Sequence, residues 1–436
     1  MTEYARKIRL FDAVMLVMGG IIGSGIFLNP AIVAQRVDTA GLAVGMWVAG
    51  GVIALAGAFV FAELGARYPR AGGGYVYMRE ALHPLVGFLY GWTLLLVIST
   101  GAIAAVAVTF ARYAADLLGL DAGIVQPLAV GAIVVLSAIN YLGVKPGAVT
   151  QDIFTVLKIA ALGILIVAGL FVVLPAGAAD RSAVAGAGHG VTAFGAALIP
   201  VLFAYGGWQQ TNYVAEEIVD APRTLPRALV LGVMGVVLLY VLANVAYVRW
   251  LGIGGLAVSL APAADVMRAA IGEAGATLIG AGIALSTFGF TNLVILVTPR
   301  VYQAMAADGV FFRKVAELHP RYRTPTVAIL LQAGLAILLT LTGTYGQLLD
   351  YVVFGDWIFF GLAGVCLFVF RRRDRAGDRA APPFLAPLFP WLPGLFVVAA
   401  AFAVVSSVRS NPGNALVGAG LILLGVPVFG AWRRRG

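Results

Sequence analysis

The chain has 436 residues, 61% of them hydrophobic and 11% charged, with a mean hydropathy of +0.96 and a net charge of +9. A soluble domain carries roughly 25% charged residues, so this chain has too little polar side chain to cover its apolar content and reads as an integral membrane protein. A basic surplus can signal nucleic-acid binding, but 22 of the 29 Lys and Arg fall on alternate connections between apolar stretches; that is the positive-inside pattern of a polytopic protein.

Twelve apolar stretches are expected to cross the bilayer, near 10–35, 41–66, 85–115, 125–142, 148–174, 192–219, 226–250, 274–306, 325–342, 346–370, 391–409 and 412–432, each near the roughly 20 residues a span needs. With the N-terminus inside, the inner segments hold Arg6, Lys7, Arg9, Arg67, Arg70, Arg79, Lys145, Arg223, Arg227 and Arg300, then Arg313, Lys314, Arg321 and Arg323. They also hold Arg371, Arg372, Arg373, Arg375 and Arg379, and Arg433, Arg434 and Arg435. The outer segments hold Arg36, Arg112, Arg181, Arg249, Arg268 and Arg409. Both termini are therefore expected in the cytoplasm. The first apolar stretch is too long for a secretory signal peptide and ends without a small-residue cleavage site. The 55 glycines, about twice the average frequency, suit close helix approach in a tightly packed all-α bundle.

The first span contains "GGIIGSGIF", residues 19 to 27. Gly19 and Gly23 form a GxxxG pair, which alone reads equally as a helix contact. Ser24 and Gly25 add further poor helix formers, about 1 kcal/mol worse than alanine for each glycine, so the stretch is expected to unwind. Backbone freed at that depth must be buried in protein or line a polar cavity.

Lys158 lies ten residues into the fifth span, ~15 Å deep in a ~30 Å core. A lysine there costs ~2.5–3.5 kcal/mol on insertion scales and marks function. Snorkelling to the inner face is the alternative, and that depth exceeds the reach of the stem.

The sixth span repeats the first span's anomaly. In "FAYGGWQQTNYVAEE", Gly206 and Gly207 interrupt a helical pattern and Gln209, Gln210, Thr211 and Asn212 follow; a glycine kink against a polar helix face is the plainer reading. Two breaks five spans apart fall in spans of opposite direction, the layout of an inverted-topology repeat with a binding site between discontinuous helices. A half-helix starting near Gly25 offers N–H groups to a carboxylate, and half-helices ending near Ile22 and Tyr205 offer carbonyls to an ammonium. Together they match the zwitterionic core of an α-amino acid.

Further along, "ADGVFFRKVAELHPRYRTP" reads as a short amphipathic helix at the inner surface or as a loop with a few apolar residues. Glu63, Glu216 and Glu217 fall near inner span ends, and Asp12 at the start of span one is expected to pair with a loop arginine. Asp356, in "FGDWIFF", lies ~22 Å from the inner surface and reads as a gate, a group behind the site or a capped position near the outer face. Cys366, the one cysteine, falls in span ten. His83, His189 and His319 all map to loops, so a histidine proton relay inside the membrane is not expected. No nucleophile-elbow, zincin, paired-cysteine or phosphate-loop motif occurs, so neither an enzyme nor an ATP-driven pump is expected, and no cofactor or metal.

"GGIIGSGIF" followed by Pro30, "AYGGWQQTNYVAEEI", "YPRAGGGYVYMREAL" and "ADGVFFRKVAELHPRYRTP" resemble the amino acid–polyamine–organocation superfamily, and within it the bacterial relatives of the L-type amino acid transporters. The resemblance covers nearly the whole chain. It implies a bacterial cell-membrane protein with 12 transmembrane helices and a 5+5 inverted repeat with discontinuous helices 1 and 6. The repeats would be residues 1–174 and 192–370, and residues 391–432 would add two spans. Carried over by position, Ser24, Gly25 and Ile26 would bind the substrate carboxylate. Ile21, Ile22, Phe203, Ala204, Tyr205 and Gly206 would meet the amine or line the site. Phe203 would be an aromatic gate, and Trp208 a gate neighbour or a packing residue. Lys158 would occupy the sodium space of sodium-coupled relatives, bridging backbone near Gly19 to Ile22 and the hydroxyl of Ser286 or Thr287. Animal members join a heavy chain through a cysteine between spans three and four; residues 116–124 contain none, so no disulfide-linked heavy chain is expected.

The expected function is sodium-independent exchange of L-amino acids. Neutral ones are favoured because no acid lies within a turn of either break. Proton-coupled symport is the alternative mechanism, and a channel or substrate sensor on the same bundle the alternative class.

Overall fold

Helix covers each of the twelve apolar stretches in the structure, a computed structural model that describes residues 3–173, 191–343, 345–377, 382–410 and 412–433. Arg181, His189, Arg379, Arg434 and Arg435 lie outside the described residues. The order is α1 (Leu10–Ile21), α2 (Gly25–Ala34), α3 (Ala40–Arg67), α4 (Gly74–Ala81), α5 (Pro84–Thr93), a π-helical turn (Leu94–Ile98) and α6 (Ser99–Leu118). Then come α7 (Val125–Tyr141), α8 (Val144–Phe171), α9 (Val191–Ala204), a 3₁₀ segment (Trp208–Glu217), α10 (Ala221–Val258) and α11 (Pro262–Ile271). The chain finishes with α12 (Glu273–Val297), α13 (Pro299–Ala307), α14 (Thr326–Thr342), α15 (Tyr345–Arg375), α16 (Trp391–Ser410), α17 (Pro412–Leu423) and α18 (Gly425–Arg433). Among the described residues nine helical stretches are long and apolar enough to cross a membrane, and Thr326–Thr342 is a shorter apolar one.

Small residues set how closely these helices approach. α3 lies along α10, and a Cβ on Gly51 would stand 2.7 Å from Val237 Cγ1. α2 lies beside α9 because Pro200 cannot donate to the carbonyl of Ala196, which is left free. Arg36 takes that carbonyl, and Asn29 donates to the Pro200 carbonyl at 2.7 Å. A buried polar chain ties four helices: Asn140 Nδ2 to Asn292 Oδ1 (2.9 Å), Asn292 Nδ2 to Gln151 Oε1 (3.1 Å), Gln151 to Thr155 (3.2 Å), and Thr155 to the carbonyl of Met15 (3.1 Å). The chain satisfies most of its members and leaves the buried Asn140 Oδ1 without a partner, which such a dry network tolerates only at a cost.

The ion pairs sort by end. On the segments that the charge pattern assigns to the inner side, Glu63 accepts from Arg67 (2.6 Å) and Arg371 (2.7 Å), Arg67 reaches Asp374 (2.6 Å), and Arg79 pairs with Asp308. Tyr75 also donates to Asp308 at 2.6 Å; burial raises its hydroxyl to about 12, so it acts as a neutral donor. Asp12 pairs with Lys145 at 3.0 Å rather than with an arginine, and its other oxygen accepts the Arg9 amide at 2.7 Å. On a segment that the charge pattern assigns to the opposite side, Arg268 pairs with Asp265 and Glu273.

The most buried pair is Arg300 with Glu217, 2.7 Å apart, both fully shielded from solvent. Arg300 also donates to the Leu296 carbonyl and lies over the Tyr4 ring, 5.9 Å from its centre. The Glu217 carbonyl accepts the amides of Lys7 (2.9 Å) and Ile8 (3.0 Å), so the first residues of the chain close over this end. Removing one partner of a buried pair costs about 3–5 kcal/mol, because the other charge stays dry. Arg300→Leu is therefore expected to lower the midpoint of a thermal melt in detergent by several degrees; an unchanged midpoint would show that Glu217 finds water or a proton without loss.

The region 307–324 settles as a loop rather than an amphipathic helix. Its only helix among the described residues is one 3₁₀ turn, Arg313–Ala316. Gly309 and Arg323 adopt positive φ (76° and 54°), which interrupts helical propagation, and Phe311 leaves the surface to stack on Trp432 with ring centres 5.7 Å apart.

Candidate functional site

The first span stops at Ile21 and restarts at Gly25; residues 22–24 lie in neither helix, and the Ile22 amide makes the last bond of α1, to the Met18 carbonyl at 2.8 Å. The sixth stops at Ala204, turns through 205–207 and continues as the 3₁₀ segment. The two interruptions touch. A Cβ on Gly207 would lie 2.1 Å from the Gly20 carbonyl oxygen, and one on Gly20 would lie 2.8 Å from the Gly207 carbonyl oxygen. Gly207 also holds φ at +109°, outside the reach of an L side chain. A Cβ on Gly25 would stand 3.0 Å from Ala204 Cβ, whereas one on Gly23 would meet nothing closer than Phe290 at 3.9 Å. Glycine at 20, 25 and 207 thus lets main chain meet main chain, and Gly23 leaves open space.

That space is a chamber of about 110 Å³. Its lining includes Gly20, Ile21, Gly23, Ser24 and Gly25 from the first break, and Leu202, Phe203, Ala204, Gly206, Gly207, Gln209, Gln210 and Tyr213 around the second. Three other helices supply stripes spaced by four residues, the repeat of one helix face. They are Leu94, Ile98, Ala102 and Val106; Phe290 and Val294; and Asp356 and Phe360. Ser99 and Trp357 complete the wall. The π-helical turn sits at the start of the first stripe, and Thr100 satisfies the Leu95 carbonyl at 2.8 Å; such turns recur at functional sites.

Each loose end has an identifiable partner or a free face. Gln209 Oε1 accepts the Gly207 amide at 3.0 Å, which explains one polar residue after the break. The first amides of α2 have no partner within the helix, and Gly25, the first of them, stands at the chamber wall. The Ile21 carbonyl accepts Tyr240 Oη at 2.9 Å, and the Ile26 carbonyl accepts Tyr247 Oη at 3.2 Å. Lys158, fully buried, donates to the carbonyls of Gly19 and Ile22, both at 2.9 Å. Ser286 Oγ donates to the same Ile22 carbonyl at 3.2 Å.

The residues singled out from sequence divide into two groups. Ile21, Ser24, Gly25, Phe203, Ala204 and Gly206 line the chamber together. Phe203 stands free at its edge with 42% of its surface exposed. Ile22, Ile26, Tyr205 and Trp208 do not line it. Both lone pairs of the Ile22 carbonyl are taken by Lys158 and Ser286, which leaves none for an amine. Tyr205 turns away to donate to the Trp47 carbonyl at 3.0 Å. Trp208, 2% exposed, packs among Phe61, Phe360 and Phe396, which is the packing reading of that residue. Thr287 donates to carbonyls of its own helix, at Ile283 and Ala284, and takes no part in the Lys158 bridge.

The residues missed are the stripes on α6 and α12, and Phe360 on α15. Apolar residues at a spacing of four look the same whether they face a chamber or a neighbouring helix. Asp356 carried a signal, since an acid at membrane depth is a functional candidate by default.

Sequence comparison agrees with this geometry. Residues 8–431 match the amino acid permease family. The serine/threonine exchanger SteT of Bacillus subtilis (strain 168) is 31% identical over 99% of this chain and 97% of its own length. The large neutral amino acids transporter small subunit 2 of Homo sapiens is 33% identical over 97% of this chain and 80% of its own length. The cystine/glutamate transporter of Homo sapiens is 30% identical over 98% of this chain and 85% of its own length.

Proposed function

The chain belongs to the amino acid permease family, and from that premise we propose that it exchanges L-amino acids across a bacterial cell membrane without sodium, by alternating access to the chamber between its two broken spans. The observation that carries this reading is that both breaks line one cavity, with the backbones of Gly20 and Gly207 in contact. The volume admits on the order of ten water-sized groups, the scale of a mid-sized amino acid. The amides of Gly25 and Ile26 would receive its carboxylate, and the remaining lone pair of the Ile21 carbonyl with other main-chain oxygens its ammonium. Phe203 would fold over the bound substrate. Twelve spans, cytoplasmic termini, inverted repeats over residues 1–174 and 192–370, and an added pair over 391–432 belong to the same reading.

The relatives' names span serine and threonine, cystine and glutamate, and large neutral amino acids, so what they share is the α-amino acid core that the breaks would hold. The lack of an acid within a turn of either break favours neutral side chains. Asp356 enters the chamber from α15 and weakens that argument; a small neutral side chain bearing a hydroxyl satisfies both. One relative is a "small subunit" by name. This chain's single cysteine is buried in α15, which supports transport without a disulfide-linked partner.

The Lys158 ammonium supports sodium independence. Two unit positive charges 4 Å apart repel by roughly 4 kcal/mol at an effective dielectric of 20, so Na⁺ would not share its carbonyls. Uptake of a labelled amino acid into proteoliposomes is expected to be equal in sodium and in choline medium. It is expected to rise severalfold when the vesicles are preloaded with unlabelled amino acid. Sodium-dependent uptake would end the exchange reading. Uptake driven by an inward proton gradient into empty vesicles would favour symport. Flux that neither saturates nor responds to preloading would favour a channel, and binding without flux a sensor.

A further inference from the structure

Asp356 is the only formally charged side chain among the described residues that line the chamber. It lies on α15 one turn before Phe360, on the same face, and both reach the cavity wall. No hydrogen bond or ion pair joins it to any described residue. The other carboxylates at the membrane ends behave differently. Glu63 has two arginines and an amide, Glu217 an arginine, Asp12 a lysine and an amide. Much of the chamber wall is apolar, with Leu94, Ile98, Val294, Trp357 and Phe360 contributing hydrocarbon and aromatic surface, and the hydroxyls of Tyr90 and Tyr213, near enough to feel the Asp356 charge, are paired with each other. An unpaired carboxylate in such a setting is costly unless a donor is brought to it.

The breaks already account for the charges of an amino acid's core: amides at the start of α2 for its carboxylate, main-chain carbonyls for its ammonium. Neither leaves a group for Asp356. We infer that Asp356 is a specificity-determining residue that receives a hydrogen-bond donor carried on the substrate's side chain, a hydroxyl or an ammonium. This inference rests on the amino acid transport reading and narrows its substrate class to donor-bearing side chains. A polar site left without its partner rejects the apolar analogue strongly, whereas an apolar pocket barely distinguishes isosteres.

Two isosteric pairs test this, used as competitors of labelled uptake in proteoliposomes holding the full chain. Threonine against valine swaps a hydroxyl for a methyl. Ornithine against norleucine swaps an ammonium for a methyl. The donor-bearing member of at least one pair is expected to compete about 10–100-fold better, the scale of one hydrogen bond to a charged group. Which pair responds identifies the donor. Asp356→Asn, which keeps the shape and removes the charge, is expected to bring the ornithine ratio toward one, and Asp356→Ala both ratios. The wild-type ratios decide even where a variant fails to insert. Equal competition within both pairs by the wild type overturns the inference while leaving transport intact, and would mean that the carboxyl carries its own proton. No uptake of any amino acid would sink the transport reading itself, and this inference with it.

Discussion

Gly207→Ala is expected to reduce amino acid uptake by at least about 100-fold while the protein still inserts in the membrane. Two costs combine at this position. The backbone sits at φ +109°, where an L residue pays about 1–3 kcal/mol or more. The added methyl would also lie 2.1 Å from the Gly20 carbonyl oxygen, a main-chain atom that no side-chain rotation can move aside. The only relief is to separate the two breaks, which would pull apart the main-chain groups that face the chamber. A few kcal/mol in that geometry is at least a hundredfold in the population of the binding arrangement. Uptake in proteoliposomes, with fluorescence-detected size exclusion to confirm folded protein, measures it. Gly25→Leu should behave alike, since its Cβ already meets Ala204 at 3.0 Å. Near-normal uptake by folded Gly207→Ala would mean that the contact between the breaks is dispensable.

Lys158→Met is expected to lower exchange by about 10–100-fold, with a smaller effect on binding. Its ammonium is the link from α8 to the end of α1: it holds the Gly19 and Ile22 carbonyls at 2.9 Å each. Hydrogen bonds to a charged group are worth about 1.5–3 kcal/mol apiece. Methionine fills the same volume with no donor, so the Gly19 carbonyl loses this partner while Ile22 keeps Ser286. Without the link, the end of α1 is free to drift from the arrangement that presents its main-chain groups to the chamber, which slows turnover. Trans-stimulated uptake reads the rate, and competition at equilibrium reads the affinity. Unchanged exchange would remove Lys158 from the transport cycle and leave it a structural tie.

What the sequence disclosed about this site depended on whether local chemistry or three-dimensional proximity was the cause. The breaks were legible because glycine and serine in the middle of an apolar stretch contradict helix formation wherever the stretch packs. Lys158 was legible because that depth exceeds the reach of a snorkelling stem, and its bond to Ile22 meets Ser286, one of the two hydroxyls the family resemblance implied. The direction of each carbonyl was not legible: Ile22 looked available to an amine until Lys158 and Ser286 were seen to hold it. Tyr205 and Trp208 were open because aromatic side chains beside a break can face either way, and here they face Trp47 and the cluster around Phe396. The stripes on α6 and α12 were hidden for a similar reason, since leucine, isoleucine, alanine and valine at a spacing of four carry no mark of what they face. The loop at 307–324 was ambiguous because its phenylalanines could be satisfied by lipid or, as happens, by Trp432.

The closure of the inner end by residues 4–8 has a kinetic consequence. Glu217 binds Arg300 through its carboxylate and Lys7 and Ile8 through its carbonyl, Val219 donates to the Ile8 carbonyl, and Tyr4 lies beneath the arginine. When any one of these contacts breaks, the others keep the groups in register. Freeing this end therefore needs several of these contacts to break together, a concerted step rather than a gradual loosening. A fusion partner or affinity tag joined to the first residues would load that latch directly, so the same tag carried on the opposite terminus gives the cleaner measurement of turnover.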